Sequence, residues 1–233
     1  MINQQIDSTF YLAFYIKQQY FVSGGICMNN NLVITLERQF GSGGYEIGKK
    51  VAEKLGIPCY NKEILETAAE RINIPEEYLE SMQENVSQSL LYKLSLASQN
   101  GKKLDSIDNI IPKSNLLYNE ISAIIKDMAN KGSCMIIGRC ADFILREFEP
   151  CFHVFIYAPM ESRKKRVIES YGISADSAEY IIRKNDKRRE SFYNGNTGHT
   201  WGLKEHYNLC LNSGKFTLDQ CADIIIDSLK YVK

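Results

Sequence analysis

An unbroken apolar segment followed by a glycine-rich turn and an amphipathic helix limits most strongly how this chain can fold. Residues 31–36 contain the run Leu-Val-Ile-Thr-Leu, whose lack of polar alternation is typical of a strand buried on both faces. Residues 38–44 then form a turn with three glycines. Apolar residues such as Ile47 and Val51 recur at helical spacing, and Gly56 supplies a stop. This order of strand, glycine loop and helix is typical of a parallel α/β sheet.

The rest of the chain continues the alternation of strands and helices. We predict further strands at residues 57–60, 133–137, 152–157 and 207–211, and helices at 62–71, 115–131, 161–171, 174–193 and 217–232, with a short helix opening at Pro75. Such an order predicts an α/β fold with a parallel core sheet covered on both faces.

The chain length fits one domain with additions. Residues 31–233 are predicted to form that domain, and the polar residues 84–113 are predicted to be an insertion in it. Residues 1–30 are predicted to be an N-terminal extension. This extension either docks on the core or a partner, or represents reading frame upstream of a start at Met28.

Charge and cysteine content argue against several classes of function. The chain has 28 Lys and Arg residues against 28 Asp and Glu, so no basic excess points to nucleic acid or an anionic membrane. The apolar residues 10–22 are too few and too polar to span a bilayer, and no basic region precedes them as in a signal peptide. The seven cysteines include no CxxC pair, which favours free thiols in the cytoplasm over a zinc site or disulfides.

The glycine loop after the first strand is a candidate phosphate-binding site. Glycines let backbone N–H groups turn towards an anion, and the N-terminus of the following helix adds positive potential. The candidate ligand-binding residues are Gly41, Ser42, Gly43, Gly44 and Tyr45. The alternative is a tight strand-to-helix turn with no ligand.

Two registers of the phosphate loop are possible, and they differ in where a lysine would lie. Residues 43–49 match the spacing GxxxxGK, but Lys49 falls beyond the first helical turn and Lys50 replaces the Ser or Thr that would meet magnesium. In the preferred register Gly44 stands at the lysine position and Tyr45 at the hydroxyl position. The cation that normally follows the transferred phosphoryl group is then missing from the loop.

Arg38, just after the strand, is the nearest candidate to replace the missing lysine. The alternative is that its guanidinium makes an ion pair with Glu37 or Glu46.

Further arginines follow a strand and two helices. Arg139 comes directly after the predicted strand 133–137, where open α/β sheets place their ligands. Basic residues also cluster on the two helices between residues 161 and 193, where they are candidates for stabilising a transferring phosphoryl group. Asp186 is spaced to pair with Arg183 or Arg189, and solvated helix charges are the alternative to a site.

These motifs together resemble the cytidylate kinase-like family of P-loop proteins. The resemblance rests on residues 34–48 (Ile-Thr-Leu-Glu-Arg-Gln-Phe-Gly-Ser-Gly-Gly-Tyr-Glu-Ile-Gly), 52–63, 136–142 and 186–193, followed by Trp201 and residues 207–209. It implies a P-loop NTPase-type three-layer sandwich with a helical lid at about residues 160–205. It also implies phosphoryl transfer from ATP, with Mg²⁺, to a small nucleotide, CMP or dCMP being favoured.

The residue patterns and the resemblance together suggest roles for individual residues. Catalysis is expected from Arg38, Asp186, Arg188 and Arg189. Substrate binding is expected from Arg139, Asp142, Arg163 and Arg183. The sequence assigns no protein ligand to the metal and leaves the oligomeric state open. One departure is Tyr45, where relatives often have Arg. Two alternatives stay open: a nucleotide-binding protein without turnover, and a kinase of another small acceptor.

Overall fold

The computed structural model describes residues 32–73 and 110–232. The strands are β1 (Val33–Arg38), β2 (Cys59–Tyr60), β3 (Cys134–Ile137), β4 (Cys151–Tyr157) and β5 (Leu209–Asn212). The helices are α1 (Gly44–Leu55), α2 (Lys62–Arg71), α3 (Ile110–Lys131), α4 (Ala141–Ile144), α5 (Met160–Tyr171), α6 (Ala175–Thr197) and α7 (Leu218–Ser228), with 3₁₀ turns at Lys204–His206 and Leu229–Tyr231.

The five described strands form one parallel sheet in the order β2-β3-β1-β4-β5. Strand β1 lies at its centre, paired with β3 on one side and β4 on the other. This position explains the unbroken apolar run in its sequence, because side chains from both faces of β1 are buried. The loop after β1 therefore emerges at the middle of the carboxyl edge of the sheet.

Successive side chains of β1 enter two different cores. Ile34 and Leu36 pack with α1 and α7 on one face of the sheet. Val33 packs with α2 and α3 on the opposite face. The fold is thus a three-layer α/β sandwich, and the predicted fold class is confirmed.

Helices α5 and α6 lie against each other and contribute a small separate apolar cluster around Val167, Ala178 and Ile182. Side chains from both helices contact the backbone of residues 38–41, which places the pair beside the loop after β1. Whether these helices move as a lid stays a prediction.

Most element boundaries agree with the predictions within two residues, and two helices are longer than predicted. Helix α3 starts at Ile110, ahead of Pro112. A helix tolerates a proline in its first turn because no intrahelical hydrogen bond is lost there. Helix α6 continues to Thr197, where the threonine hydroxyl bonds the carbonyl of Tyr193. It ends at Gly198, whose φ of 70° is left-handed.

Some predictions fall outside the described ranges, and two short elements were not predicted. The extension 1–30, the helix at Pro75 and most of the insertion 84–113 lie outside the described residues. Helix α4 and the turn Lys204–His206 are too short to show periodicity. Within residues 32–73 and 110–232, no helix has the length and apolar character needed to cross a bilayer.

Candidate functional site

A cavity of about 840 Å³ opens at the carboxyl edge of the sheet. Its wall is formed by the loop after β1 with the first turn of α1, by the start of α2, by the turn after β3, and by α5, α6 and Trp201. This is the position at which open α/β sheets bind ligands.

The glycine loop presents the N-terminus of α1 to this cavity. Gly41 and Gly43 have φ of 75° and 77°, which only glycine adopts at little cost. Gly43 is the N-cap of α1, and no side chain caps this terminus within the described part of the chain. The first-turn N–H groups have no intrahelical partners, so this end of the 12-residue helix is suited to an anion.

Arg38 fills the space beside Gly44 that a side chain at position 44 would need. A Cβ added to Gly44 would lie 2.5 Å from Cβ of Arg38 and 2.9 Å from its Cγ. The Cβ contact does not depend on the side-chain conformation of Arg38, so a lysine cannot fit at position 44 unless the backbone shifts. The Arg38 side chain continues to Gly138, where an added Cβ would collide with Nη1 of Arg38. Two glycines thus form the channel that holds one arginine.

The turn after β3 places Arg139 in the same cavity. Gly138, Arg139 and Cys140 have φ of 77°, 62° and 56° in succession. Left-handed backbone at two consecutive non-glycine residues is strained and persists only where the surroundings hold it. Here Cys140 is buried, and the N–H of Ala141 bonds the carbonyl of Gly138 at 3.2 Å. The strained turn carries Arg139 to the cavity wall.

Arg38, Arg139 and Arg189 form a cluster of positive charge in this wall, which we call the arginine cluster. Burial lowers the pKa of Arg38. Burial, and next the charge of Arg38, lowers the pKa of Arg139 to about 10 and that of Arg189 to about 9. All three guanidinium groups remain protonated at neutral pH, so they repel one another. An anion in the cavity would relieve that repulsion.

Glu37 offsets part of the positive charge. Its carboxylate is buried, accepts a hydrogen bond of 3.2 Å from Trp201 Nε1, and lies 4.0 Å from Nη1 of Arg38. The ion pair considered for Arg38 therefore exists, at long range, with Glu37. Asp186 also offsets the charge of Arg189, while Arg188 adds positive charge beside Arg139, and the wall remains suited to an anionic ligand.

Side chains of α5 and α6 fix the backbone of the glycine loop. The carboxylate of Asp186 accepts a hydrogen bond of 2.7 Å from the N–H of Phe40 and makes an ion pair with Arg163. Nη1 of Arg163 also reaches the carbonyl of Phe40 at 3.4 Å. Arg189 and Arg166 each donate a 2.8 Å bond, to the carbonyls of Arg38 and Gly41 respectively. We call this set of contacts the loop clamp.

The structure brings together some of the predicted site residues and separates others. The predicted residues that line the cavity are Arg38, Gly41, Gly43, Gly44, Tyr45, Arg139, Arg188 and Arg189. Arg163 and Asp186 lie behind the loop in the clamp. Arg183 is exposed and pairs with Glu179 at 2.7 Å, one helical turn earlier, and not with Asp186 as its spacing suggested. Its substrate-binding role has no support from this position.

Two further predicted residues have buried side chains with local partners. The Ser42 hydroxyl is fully buried and donates to the carbonyl of Gln39 at 2.8 Å. Asp142 is buried beside the cavity, where Tyr193 OH donates to its Oδ2 at 2.6 Å and its Oδ1 lacks a hydrogen-bond partner. Burial, and next the charge of Glu37, raises the pKa of Asp142 to about 7.

Lys49 is excluded as the cation of the phosphate loop. Its ammonium lies on the exposed side of α1, 60% accessible and 3.8 Å from Glu53 in the next turn. Lys49 does not line the cavity, whereas Gly44 does, so this geometry favours the register with Gly44 at the lysine position.

The residues of the cavity wall that sequence reasoning missed include Glu37, Phe40 and Tyr193. Glu37 and Tyr193 fall within segments that the resemblance covers, but their partners lie far away in the sequence. The Phe40 ring packs 5.8 Å from that of Tyr171, and the guanidinium of Arg189 lies 5.7 Å from its centre. No local pattern marks such contacts.

The loop clamp predicts a large loss of stability when Asp186 is changed. In Asp186→Ala the buried Arg163 loses its ion-pair partner, so we expect about 3–5 kcal/mol less unfolding free energy in urea titrations. Asp186→Asn keeps an oxygen for the N–H of Phe40 and should lose less. Glu179→Ala, which removes the exposed partner of Arg183, serves as the control and should change little. If Asp186→Ala instead lost activity while its unfolding free energy stayed unchanged, Asp186 would be assigned to substrate binding.

The raised pKa of Asp142 predicts a pH-dependent gain in stability for Asp142→Asn. Between about pH 4 and pH 7 the folded state retains a proton that the unfolded state releases, so this group destabilises the wild type increasingly as pH rises. The unfolding free energy of Asp142→Asn relative to wild type should therefore increase from pH 5 to pH 8. Asp127→Asn, at an exposed position of α3, should show no such trend. If the unfolding free energies of Asp142→Asn and wild type differed by the same amount at pH 5 and at pH 8, this account would be contradicted.

Solved structures of bacterial proteins are similar to this chain. A crystal structure of an uncharacterised protein from Eubacterium ventriosum superposes with a TM-score of 0.61 at 26% identity, covering 85% of this chain and 98% of that one. A shikimate kinase from Acinetobacter baumannii superposes with a TM-score of 0.48 at 13% identity, covering 88% of this chain and 96% of that one.

One curated protein matches over a shorter region. A uronate isomerase from Corynebacterium glutamicum is 23% identical over 138 residues, which is 59% of this chain. The chain spans about a quarter, 26%, of the length of that isomerase.

A family profile matches the greater part of the chain, from the first residue of β1 to the loop after β5. The matched residues are 33–215, and they contain the glycine loop, the turn after β3, the loop clamp and Trp201. The chain belongs to the cytidylate kinase-like family.

Proposed function

We propose that this protein transfers the γ-phosphoryl group of ATP to a nucleoside monophosphate, with CMP or dCMP favoured by the family. The observation that carries the proposal is the position of Arg38, which occupies the space of the missing loop lysine. Its guanidinium lies against Gly138 in the cavity wall, where it would supply positive charge for phosphoryl transfer.

The donor nucleotide is assigned to the glycine loop. The N–H groups at the start of α1 would bind its β- and γ-phosphate oxygens, and Arg38 would contact the γ-phosphate. The loop clamp would keep the loop backbone in place before the nucleotide arrives. Such preorganisation is what makes electrostatic stabilisation effective in catalysis.

The acceptor is assigned to the β3 side of the cavity. Arg139 projects there from its strained turn, and residues 61–63 at the start of α2 form the neighbouring wall. A guanidinium binds a monophosphate through two parallel hydrogen bonds, which Arg139 would supply. Arg163 was expected to share this role, but its contacts assign it to positioning the loop.

A nucleotide-binding protein without turnover is the second candidate. The observation that favours it is Tyr45, which stands where the loop of an active kinase carries a hydroxyl for magnesium. The two candidates differ in turnover but share nucleotide binding at the same cavity.

An ADP-release assay tests the kinase proposal. Wild-type protein should release ADP from ATP in the presence of one member of a nucleoside monophosphate panel, and a sugar or polyol panel tests for other small acceptors. Arg38→Ala and Arg139→Ala should each lower kcat/KM by about 100-fold or more, the cost of removing one preorganised donor. Arg71→Ala removes the same charge from the end of α2, outside the cavity wall, and should keep wild-type activity.

The outcomes separate the two candidates. Thermal stabilisation by nucleotide without ADP release from any acceptor would support the binding protein. Turnover that survives in both Arg38→Ala and Arg139→Ala would contradict the assigned site.

A further inference from the structure

Magnesium is the cation that a P-loop kinase fold implies, and the residues of this cavity do not fit it. In such loops a Ser or Thr hydroxyl after the lysine binds the metal. Here that position is Tyr45, whose side chain is 46% exposed and whose oxygen is a phenol at the end of a ring. The nearby Ser42 hydroxyl is buried and already donates to the carbonyl of Gln39.

The carboxylates of the cavity wall are also engaged. Among the described residues these are Glu37, Glu46 and Glu63. Glu37 accepts from Trp201, and Glu63 accepts from the N–H of Asn61. Glu46 accepts from Tyr171 OH at 3.0 Å through Oε1, while its buried Oε2 lacks a partner. Mg²⁺ keeps several waters and usually binds through one or two carboxylates and the substrate phosphates, and Glu46 Oε2 is the one unpartnered carboxylate oxygen of the described wall.

The strand end beside β1 carries positive charge where a metal site needs negative charge. P-loop enzymes hold magnesium with an aspartate in addition to the loop hydroxyl. In this fold the turn after β3 presents Arg139, and burial, followed by the charge of Arg38, lowers the pKa of Arg139 and Arg189. A divalent cation placed there would add to that repulsion.

From these contacts we infer that the cavity binds its polyphosphate ligand as the metal-free anion, neutralised by Arg38, Arg139 and Arg189. This inference rests on the proposed function, since it takes the cavity to be the site of a nucleoside polyphosphate. Free ATP carries about four negative charges, and the cluster presents three positive charges, offset in part by Glu37. The cluster therefore neutralises the phosphate charge that the metal neutralises in other kinases.

Calorimetric titration of the full chain tests the inference. ATP and inorganic triphosphate are each titrated in EDTA and in excess magnesium at equal ionic strength. We expect both ligands to bind at least as tightly in EDTA, with a dissociation constant about three- to tenfold lower than in magnesium. Binding at least tenfold weaker in EDTA would overturn the inference and leave the proposed function standing.

Variants distinguish the arginine cluster from a metal site. Arg139→Ala should weaken binding in EDTA by at least about tenfold, whereas Arg71→Ala should bind like wild type. Glu46→Gln removes the charge of the one carboxylate in the described cavity wall that has an unpartnered buried oxygen, and it should not weaken binding in magnesium. Magnesium-dependent binding that is lost in Glu46→Gln would assign a metal site to Glu46 and overturn the inference. Absence of binding in both buffers would overturn the proposed function together with the inference.

Discussion

The close packing of Arg38 between two glycines is the constraint on which the rest of the site depends. Side-chain atoms at position 44 or 138 would occupy the volume of this arginine, so both positions must be glycine while Arg38 points into the cavity. Positive charge beside the loop comes from Arg38, the last residue of the strand that precedes it.

The scaffold around Arg38 holds buried positive charge at a cost in free energy. Guanidinium groups that lose water and approach one another destabilise the unliganded fold. Several contacts offset this cost: Glu37 lies near Arg38, Trp201 holds Glu37, and Arg189 bonds the carbonyl of Arg38. The remaining imbalance favours binding of an anion, because a ligand that neutralises the cluster stabilises the folded state by mass action.

Local sequence was sufficient to predict the frame of the site. The apolar run of β1 and the spacing of Ile47 and Val51 defined the strand, loop and helix, and the same spacing indicated that Lys49 lies beyond the loop. The position of Arg139 followed from the end of β3, since ligands of α/β sheets lie at that edge. These features depend on periodicity within about 15 residues, which a single sequence displays.

The roles of Arg163, Asp186 and Arg183 could not be predicted because they depend on contacts between distant segments. Arg163 and Asp186 lie on different helices and meet at the backbone of Phe40, 146 positions before Asp186. Arg183 carries the same charge as Arg189 and lies on the same helix. Its side chain is nevertheless exposed and pairs with Glu179, one helical turn away. The bond from Trp201 to Glu37 spans 164 positions. Helical spacing indicates which residues share one face of a helix. It does not indicate what that face contacts.

The most direct test of the central claim is a crystal structure of the full chain with the β,γ-imido analogue of ATP. We predict that the γ-phosphate lies against the guanidinium of Arg38 and that the N–H groups of Gly43 and Gly44 face the phosphate oxygens. The loop clamp and the side chain of Arg38 should keep the conformation described above. A triphosphate bound elsewhere, or one contacted by Lys49 while Arg38 points away, would contradict the account.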